Sequence, residues 1–308
     1  MYHYVRPAPE ELPFFRYLHV DDFIRQLDWA AGQGRFVPRD EFLDCVEQGR
    51  TIEDGIVLTF DDGLADHYDH VLPMLAERNL WGMFFVSSGP HADGRMLDVH
   101  RIHRLLGAFG GTRMLAALDE MVEPAMFTEH DLDQDRILAQ NDDQDTARFK
   151  RMMTYHLKAE WRGIVLDRLM RCLCADERDL VAETYLGPAQ IREMQQAGMI
   201  MGGHGISHAV LGTMALDDQR REIDQSMAFL EEATGGLEVR SFCYPYGGFY
   251  AFTADTERLV AEAGCRFAFN VEPRPIAAED FARRPMALPR FDCNQFPHGT
   301  ARMGGGKV

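Results

Sequence analysis

The chain has 308 residues, of which 46% are apolar and 26% charged, with a formal net charge of −17. This composition excludes a disordered polymer and suits one large core with an insertion, or two domains. The acidic balance disfavours non-specific affinity for DNA, RNA or anionic membrane, and no window approaches about 18 uncharged apolar residues, so neither a nucleic-acid partner nor a transmembrane segment is expected.

Residues 2–5 are a short aromatic and β-branched run, ended by Arg6-Pro7, and read as a first strand. His3 stands inside it, open to a place near a catalytic face or to simple packing. A helix follows with Asp21 as its expected cap, and Phe23, Leu27 and Ala31 recur on one core face. Residues 36–37 are a short extended piece, and residues 39–48 a second helix. Residues 56–60 then form a buried strand that runs into Asp61, Asp62 and Gly63. After a polar loop at 66–70, residues 71–79 read as a helix and 81–86 as a strand buried on both faces. Strand, helix, strand is the βαβ unit.

Residues 90–186 are mostly helical in pattern, with a solvated, acid- and amide-rich stretch at 131–145. Within this part His100 and His103 share one helical face, and so do Arg101 and Arg104. His103 is expected to border a pocket. The two arginines can meet an anionic group or form surface salt bridges. Residues 189–198 are a short helix, and 199–201 a strand leading into Gly202-Gly203, whose freedom allows the backbone a close approach to the loop beyond. Residues 215–234 form a strongly patterned helix, capped by Asp217 or Asp218 and stopped at Gly235. Strands at 242–245, 267–269 and 287–291 and a helix at 253–264 complete the chain. The final Gly-Gly-Gly-Lys lacks the flanking strand and helix of a phosphate loop.

Two of these stretches carry chemistry. Adjacent side chains on extended backbone point to opposite sides, so Asp61 and Asp62 can take different jobs at one strand end. Such strand ends are where α/β folds concentrate function. His204 and His208, four apart in Gly-Gly-His-Gly-Ile-Ser-His, can reach one ion. Two imidazoles and one carboxylate are an ordinary ligand set for a catalytic divalent metal. Taken alone, Asp-Gly is also a common turn pair.

Residues 59–63, Thr-Phe-Asp-Asp-Gly, resemble the first signature of the polysaccharide deacetylase (NodB-homology) family. His204 to His208 resembles its second signature, and Tyr244-Pro245-Tyr246-Gly247 its third, in the family's order. The resemblance covers roughly residues 1–63 and 187–291. It implies a distorted α/β barrel of about seven strands, here a single catalytic domain over 1–308 interrupted by a helical insertion at about 90–186. It also implies Asp62, His204 and His208 as metal ligands, Asp61 as catalytic base, and Tyr246 as the oxyanion donor and pocket wall. The expected cofactor is one divalent ion, zinc first, with cobalt, nickel or manganese also suited to mixed N/O ligands. In two places the chain departs from the family pattern. Cys243 stands where the third signature carries an Arg, and Arg290 is the candidate to restore that charge. The family's late general-acid motif is not recognisable; His298 is the candidate by order, with His3 and His103 as rivals.

The function this implies is metal-dependent deacetylation of an N-acetylated sugar. Residues 1–7 lack the regions of a signal peptide, so a cytoplasmic enzyme is expected. That favours a nucleotide-linked or lipid-linked intermediate of surface polysaccharide synthesis over intact wall polymer. The insertion is expected to cap the barrel mouth and favour compact substrates, or else to pack on the flank or form a homodimer contact. A small non-sugar amide as substrate, or a sugar-binding protein without catalysis, are the alternatives. None of the six cysteines forms a C-x-x-C pair, and reduced, mostly buried thiols are expected.

Overall fold

The computed structural model describes residues 1–50, 52–128 and 142–304. The tail beyond Gly304 and most of the acid-rich stretch at 131–145 lie outside them. The chain divides into two compact units. The first comprises Met1–Pro7, Leu18–Arg95 and Val181–Ala301; the second comprises Ala8–Tyr17, Met96–Leu180 and Arg302–Val308.

The first unit is built on a curled, open parallel sheet. Its strands are β1 (Thr59–Phe60), β2 (Met83–Val86), β3 (Ile200–Gly203), β4 (Ser241–Cys243) and β5 (Phe267–Phe269), side by side in that order. Every residue of the five is buried. This is why they read as unbroken apolar runs with no alternation: both faces are covered. Phe60 stacks between Tyr2 and Phe84, with ring centroids 5.2 and 4.6 Å away. Each such buried ring contributes roughly 1.5–3 kcal/mol.

The expected count of about seven barrel strands is corrected to five. The two outer segments contribute one bridge each, Tyr2 to Phe60 and Leu288 to Phe269. Their sequences explain the shortfall. Leu288 follows a 3₁₀ turn, Pro285–Ala287, and precedes Pro289, which has no N–H to give. At the other edge the chain leaves the sheet after Tyr2, and Val5–Arg6 pairs instead with Leu18 and His19. Residues 2–5 are therefore not a barrel strand. The outer segments still meet: the Met1 amino group donates to the Phe291 carbonyl at 2.6 Å.

Several helix ends differ from expectation. Val20–Ala31 is capped by His19, whose Nδ1 accepts the Asp21 N–H at 3.2 Å, and not by Asp21. Leu216–Thr234 starts after Ala215 with no side-chain cap; Asp217 and Asp218 lie in its first turn, where carboxylates favour the helix dipole. Its stop at Gly235, with φ of 76°, is the one expected. The polar loop at 66–70 is a π-turn, His67–Val71, that leads into the helix Leu72–Glu77. Gly202 and Gly203 belong to β3 itself. A Cβ at Gly202 would lie 2.6 Å from the Phe85 ring and from Ser241 Oγ; one at Gly203 would lie 2.8 Å from the Met227 sulfur. Tight sheet and helix packing, and not approach to the loop beyond, requires these glycines.

The second unit is helical, with Asp98–Phe109, Gly111–Asp119, Gln144–Arg151 and Ala159–Met170 as its main helices. Arg101 is at its centre, 1% exposed. It donates to both oxygens of Glu177 at 2.6 Å and to Asp167 at 3.0 Å. Arg101 is thus a buried ionic anchor, which settles its use in favour of a salt bridge. No helix among the described residues is long and apolar enough to cross a membrane.

Candidate active site

The site lies at the carboxyl ends of β1, β3 and β4, within the first unit. Asp61 and Asp62 follow β1 directly, and Leu186 donates its N–H to the Gly63 carbonyl just beyond. Asp62 has φ of 78° and Gly63 of 64°, so the chain turns sharply as it leaves the strand. That turn sends the two carboxylates to different neighbours.

Asp61 faces Arg290. Nη1 of the guanidinium donates to Oδ1 and Nη2 to Oδ2, both at 2.8 Å, in a bidentate pair. Nη1 also donates to Thr59 Oγ1, Nε donates to the Asn270 carbonyl, and Nη2 donates to Cys243 Sγ at 2.8 Å. Arg290 is only 6% exposed and lies over the Phe85 and Phe269 rings. Burial alone would push the Asp61 carboxyl up. The charge and hydrogen bonds of Arg290 outweigh it, with help from His204 and then His3, and hold Asp61 well below the usual carboxylate range. Burial pushes the Cys243 thiol up against the pull of Arg290, so it stays neutral. A neutral thiol cannot supply the charge that an Arg would bring from that position. Arg290 brings it from the far end of the chain.

Asp62 faces the imidazoles. Its Oδ1 lies 3.4 Å from His204 Nε2 and 3.3 Å from His208 Nε2. The three residues are buried and offer donor atoms within 4.8 Å of one another. His204 Nδ1 donates to the Cys243 carbonyl at 2.7 Å, since a carbonyl can only accept. That fixes the tautomer and leaves the Nε2 lone pair directed at the cluster, as a metal ligand requires. The donor set therefore fits a divalent ion.

The loop between the imidazoles is held by Glu222, which reaches it from the helix Leu216–Thr234. Tyr246, with φ of 62°, puts its ring 4.8 Å from that of His208. His3 follows Tyr2, which donates its N–H to the Thr59 carbonyl and accepts the Asp61 N–H, both at 2.9 Å. His67, just beyond the Asp pair, is fully buried against Phe60 and Phe84, and burial pushes it down to about 4. Its Nε2 lies 3.0 Å from the His3 carbonyl. It is a neutral packing residue.

The structure thus brings Asp61, Asp62, His204, His208 and Arg290 together, with His3 and Tyr246 beside them. His298 is exposed, on a turn with φ of 64° after the 3₁₀ helix Cys293–Gln295. His103 belongs to the second unit, on Asp98–Phe109, its ring 6.1 Å from that of His100. Reading the sequence missed Glu222 and the Asn270 carbonyl. Neither carries a motif, and each acts across a tertiary contact.

A sequence profile of polysaccharide deacetylases matches residues 48–106 and 168–268. The first segment contains Asp61 and Asp62, the second His204, His208 and Cys243; Arg290 lies outside both. No curated protein matches the chain. Among solved structures, the chain resembles the Streptococcus pyogenes deacetylase PplD in complex with acetate, with TM-score 0.55 and 16% identity over 94% of this chain and 89% of that one. IcaB from Ammonifex degensii gives 0.53 and 18%, over 94% and 88%. A de-N-acetylase from Aggregatibacter actinomycetemcomitans gives 0.51 and 14%, over 94% and 92%. At these identities the likeness is one of fold. The matched sequence segments span more than half of the chain and hold both carboxylates and both imidazoles, and by that measure it belongs to the polysaccharide deacetylase family.

Proposed function

We propose that the protein is a metal-dependent deacetylase that hydrolyses the N-acetyl group of a sugar. The observation that carries this reading is the division of labour between two adjacent carboxylates, one in a His-His-Asp cluster and the other paired with a buried Arg. A binding protein needs no such second carboxylate held ionised beside a ligand set.

Hydrolysis adds water across the amide C–N bond and releases acetate and a free amine. Asp62, His204 and His208 would hold the ion, which when bound acidifies water and polarises the amide carbonyl. Asp61 would take the proton of the attacking water, and Arg290 keeps it charged in a buried site. Asp61 Oδ2 accepts from both Arg290 and the Cys243 thiol, whereas Oδ1 accepts one Arg290 N–H and retains a second lone-pair direction. The Tyr246 backbone N–H stabilises the carbonyl oxygen as charge develops there, and its ring walls the acetyl pocket. The amine must leave with a proton. His3, next in the chain to the Tyr2 that is hydrogen-bonded to Asp61, is better supported by position as its donor than the exposed His298. The long helical insertion in the sequence supports a compact, nucleotide-linked or lipid-linked sugar over a long polymer.

Acetate release from an N-acetylated sugar nucleotide, a lipid-linked glycan and long chitin oligomers tests the reading, alongside elemental analysis of the purified protein. Zinc or another divalent ion at one per chain, with turnover fastest on a compact sugar, is the expected result. Metal without turnover on any sugar, but with turnover on small amides, would transfer the same chemistry to a non-sugar substrate. Sugar binding with no turnover at all would make the protein a binder.

A further inference from the structure

Glu222 lies in the second turn of Leu216–Thr234 and is 6% exposed. Its carboxylate grips the loop between the two cluster imidazoles. Oε2 accepts the Ile206 N–H at 2.7 Å and the Ser207 N–H at 2.9 Å, while Oε1 accepts the Ser207 hydroxyl at 2.6 Å. Two successive N–H groups converging on one oxygen form an anion-binding concavity of the backbone. The loop carries left-handed residues on both sides of the grip, Gly205 with φ of 74° and His208 with φ of 55°. A non-glycine residue holds that conformation only where its surroundings impose it. On the opposite side the loop is fixed by the Ser88 and Gly89 N–H groups, which donate to the Gly205 and Ile206 carbonyls. The loop is clamped between the chain that follows β2 and a single helix carboxylate.

We propose that Glu222 is the positioning residue of the metal cluster. By fixing the backbone at 206–207 it sets the left-handed turn at His208, and thereby the distance at which Nε2 of His208 meets Asp62 and His204. It touches neither ion nor substrate. The proposal rests on Asp62, His204 and His208 being the ligands.

The contact pattern makes the proposal separable from a purely electrostatic or purely structural role. In E222Q the amide oxygen can accept both backbone N–H groups, and the amide NH₂ can donate to Ser207 Oγ. All three contacts survive without the charge. E222L keeps the bulk and loses all three.

The full-length protein is stripped of metal and titrated with zinc against a competing chromophoric chelator. The absorption spectrum of the cobalt-loaded protein is recorded in parallel. E222L should bind zinc about 10- to 100-fold more weakly, the usual loss on removing an outer-shell partner, with an altered cobalt spectrum. E222Q should match the unsubstituted protein in both. E222D, whose shorter stem cannot span the same contacts, should fall with E222L and serves if E222L does not fold. Unchanged zinc affinity in both E222L and E222D, with only a lower unfolding midpoint of the stripped protein, overturns the proposal. So does an E222Q protein as weak as E222L, which would make charge the cause. H204A separates the two levels: if it binds zinc as tightly as the unsubstituted protein, the ligand reading itself is wrong and the proposal falls with it.

Discussion

Two neighbouring carboxylates differ here because one meets a guanidinium and the other two imidazoles. D62N should weaken metal binding directly, since a charged ligand becomes neutral. D61N should keep its metal and lose turnover by roughly 100- to 10,000-fold, the usual worth of a positioned base. Zinc affinity and acetate release measured on both proteins check this; equal metal loss would end the division of labour. The Asp61–Arg290 pair also fixes a pH dependence. The folded carboxyl lies below its unfolded value, so the pair stabilises fully above about pH 4, and that stability is lost as the pH falls through the folded value. In R290M the largest opposing influence is gone, and burial pushes Asp61 up. The acid limb of the pH–rate profile should move upward, and unfolding at neutral pH should become easier by about 3–5 kcal/mol, the cost of stranding a buried charge. Urea unfolding and a pH–rate series read both effects. At this scale the sequence was informative where ligands cluster within a few residues, as in 59–63 and 204–208. Arg290 was legible only through the missing cation at Cys243. Glu222 was silent, because an acidic residue on a helix looks like any solvated one until the fold turns it toward a loop.

The strands were legible as buried apolar runs, but their partners were not. Residues 2–5 have the composition of a strand, and composition does not say which sheet receives it. Val5 and Arg6 leave for Leu18 and His19, so only Tyr2 reaches β1. Glycine was misread for a related reason. Gly202 invited a reading in terms of the loop beyond it, whereas the neighbours that exclude a side chain come from β2 and β4. G202A should therefore destabilise the fold by roughly 1–3 kcal/mol, the usual cost of overpacking, through the Phe85 ring and Ser241. Zinc affinity per folded molecule should hardly change. Chemical denaturation together with a zinc titration separates the two quantities, and a selective loss of zinc would restore the loop reading.

The chain forms two compact units, and their sequences were unequally legible. The first announces its chemistry in short motifs. The second shows only helical spacing, and its strongest single feature is Arg101 with Glu177 and Asp167. R101M would leave the partly covered Glu177 without its cation, while Asp167 stays solvated, and should cost the second unit about 1–3 kcal/mol. Zinc at about 100 times its Kd should stabilise the unit that binds it by about 2.7 kcal/mol. Hydrogen exchange resolves each unit separately. Zinc should slow exchange in 59–63 and 200–208, and R101M should speed it in 98–109 and 159–170. A reversed pattern would place the ligand set elsewhere.

The Arg290–Asp61 pair joins positions 229 apart in the chain. During synthesis Asp61 leaves the ribosome well before its partner, by roughly 10 to 50 s at ordinary elongation rates. Throughout that interval β1 to β4 can form around a carboxylate that lacks its guanidinium. A nascent chain must therefore leave this end of the sheet solvated, or keep Asp61 protonated, until Arg290 docks. The same contact thus makes the docking of the segment around Arg290 the step that neutralises Asp61. A chain cut short before position 290 would keep Asp62, His204 and His208 and leave the Asp61 carboxylate without its guanidinium.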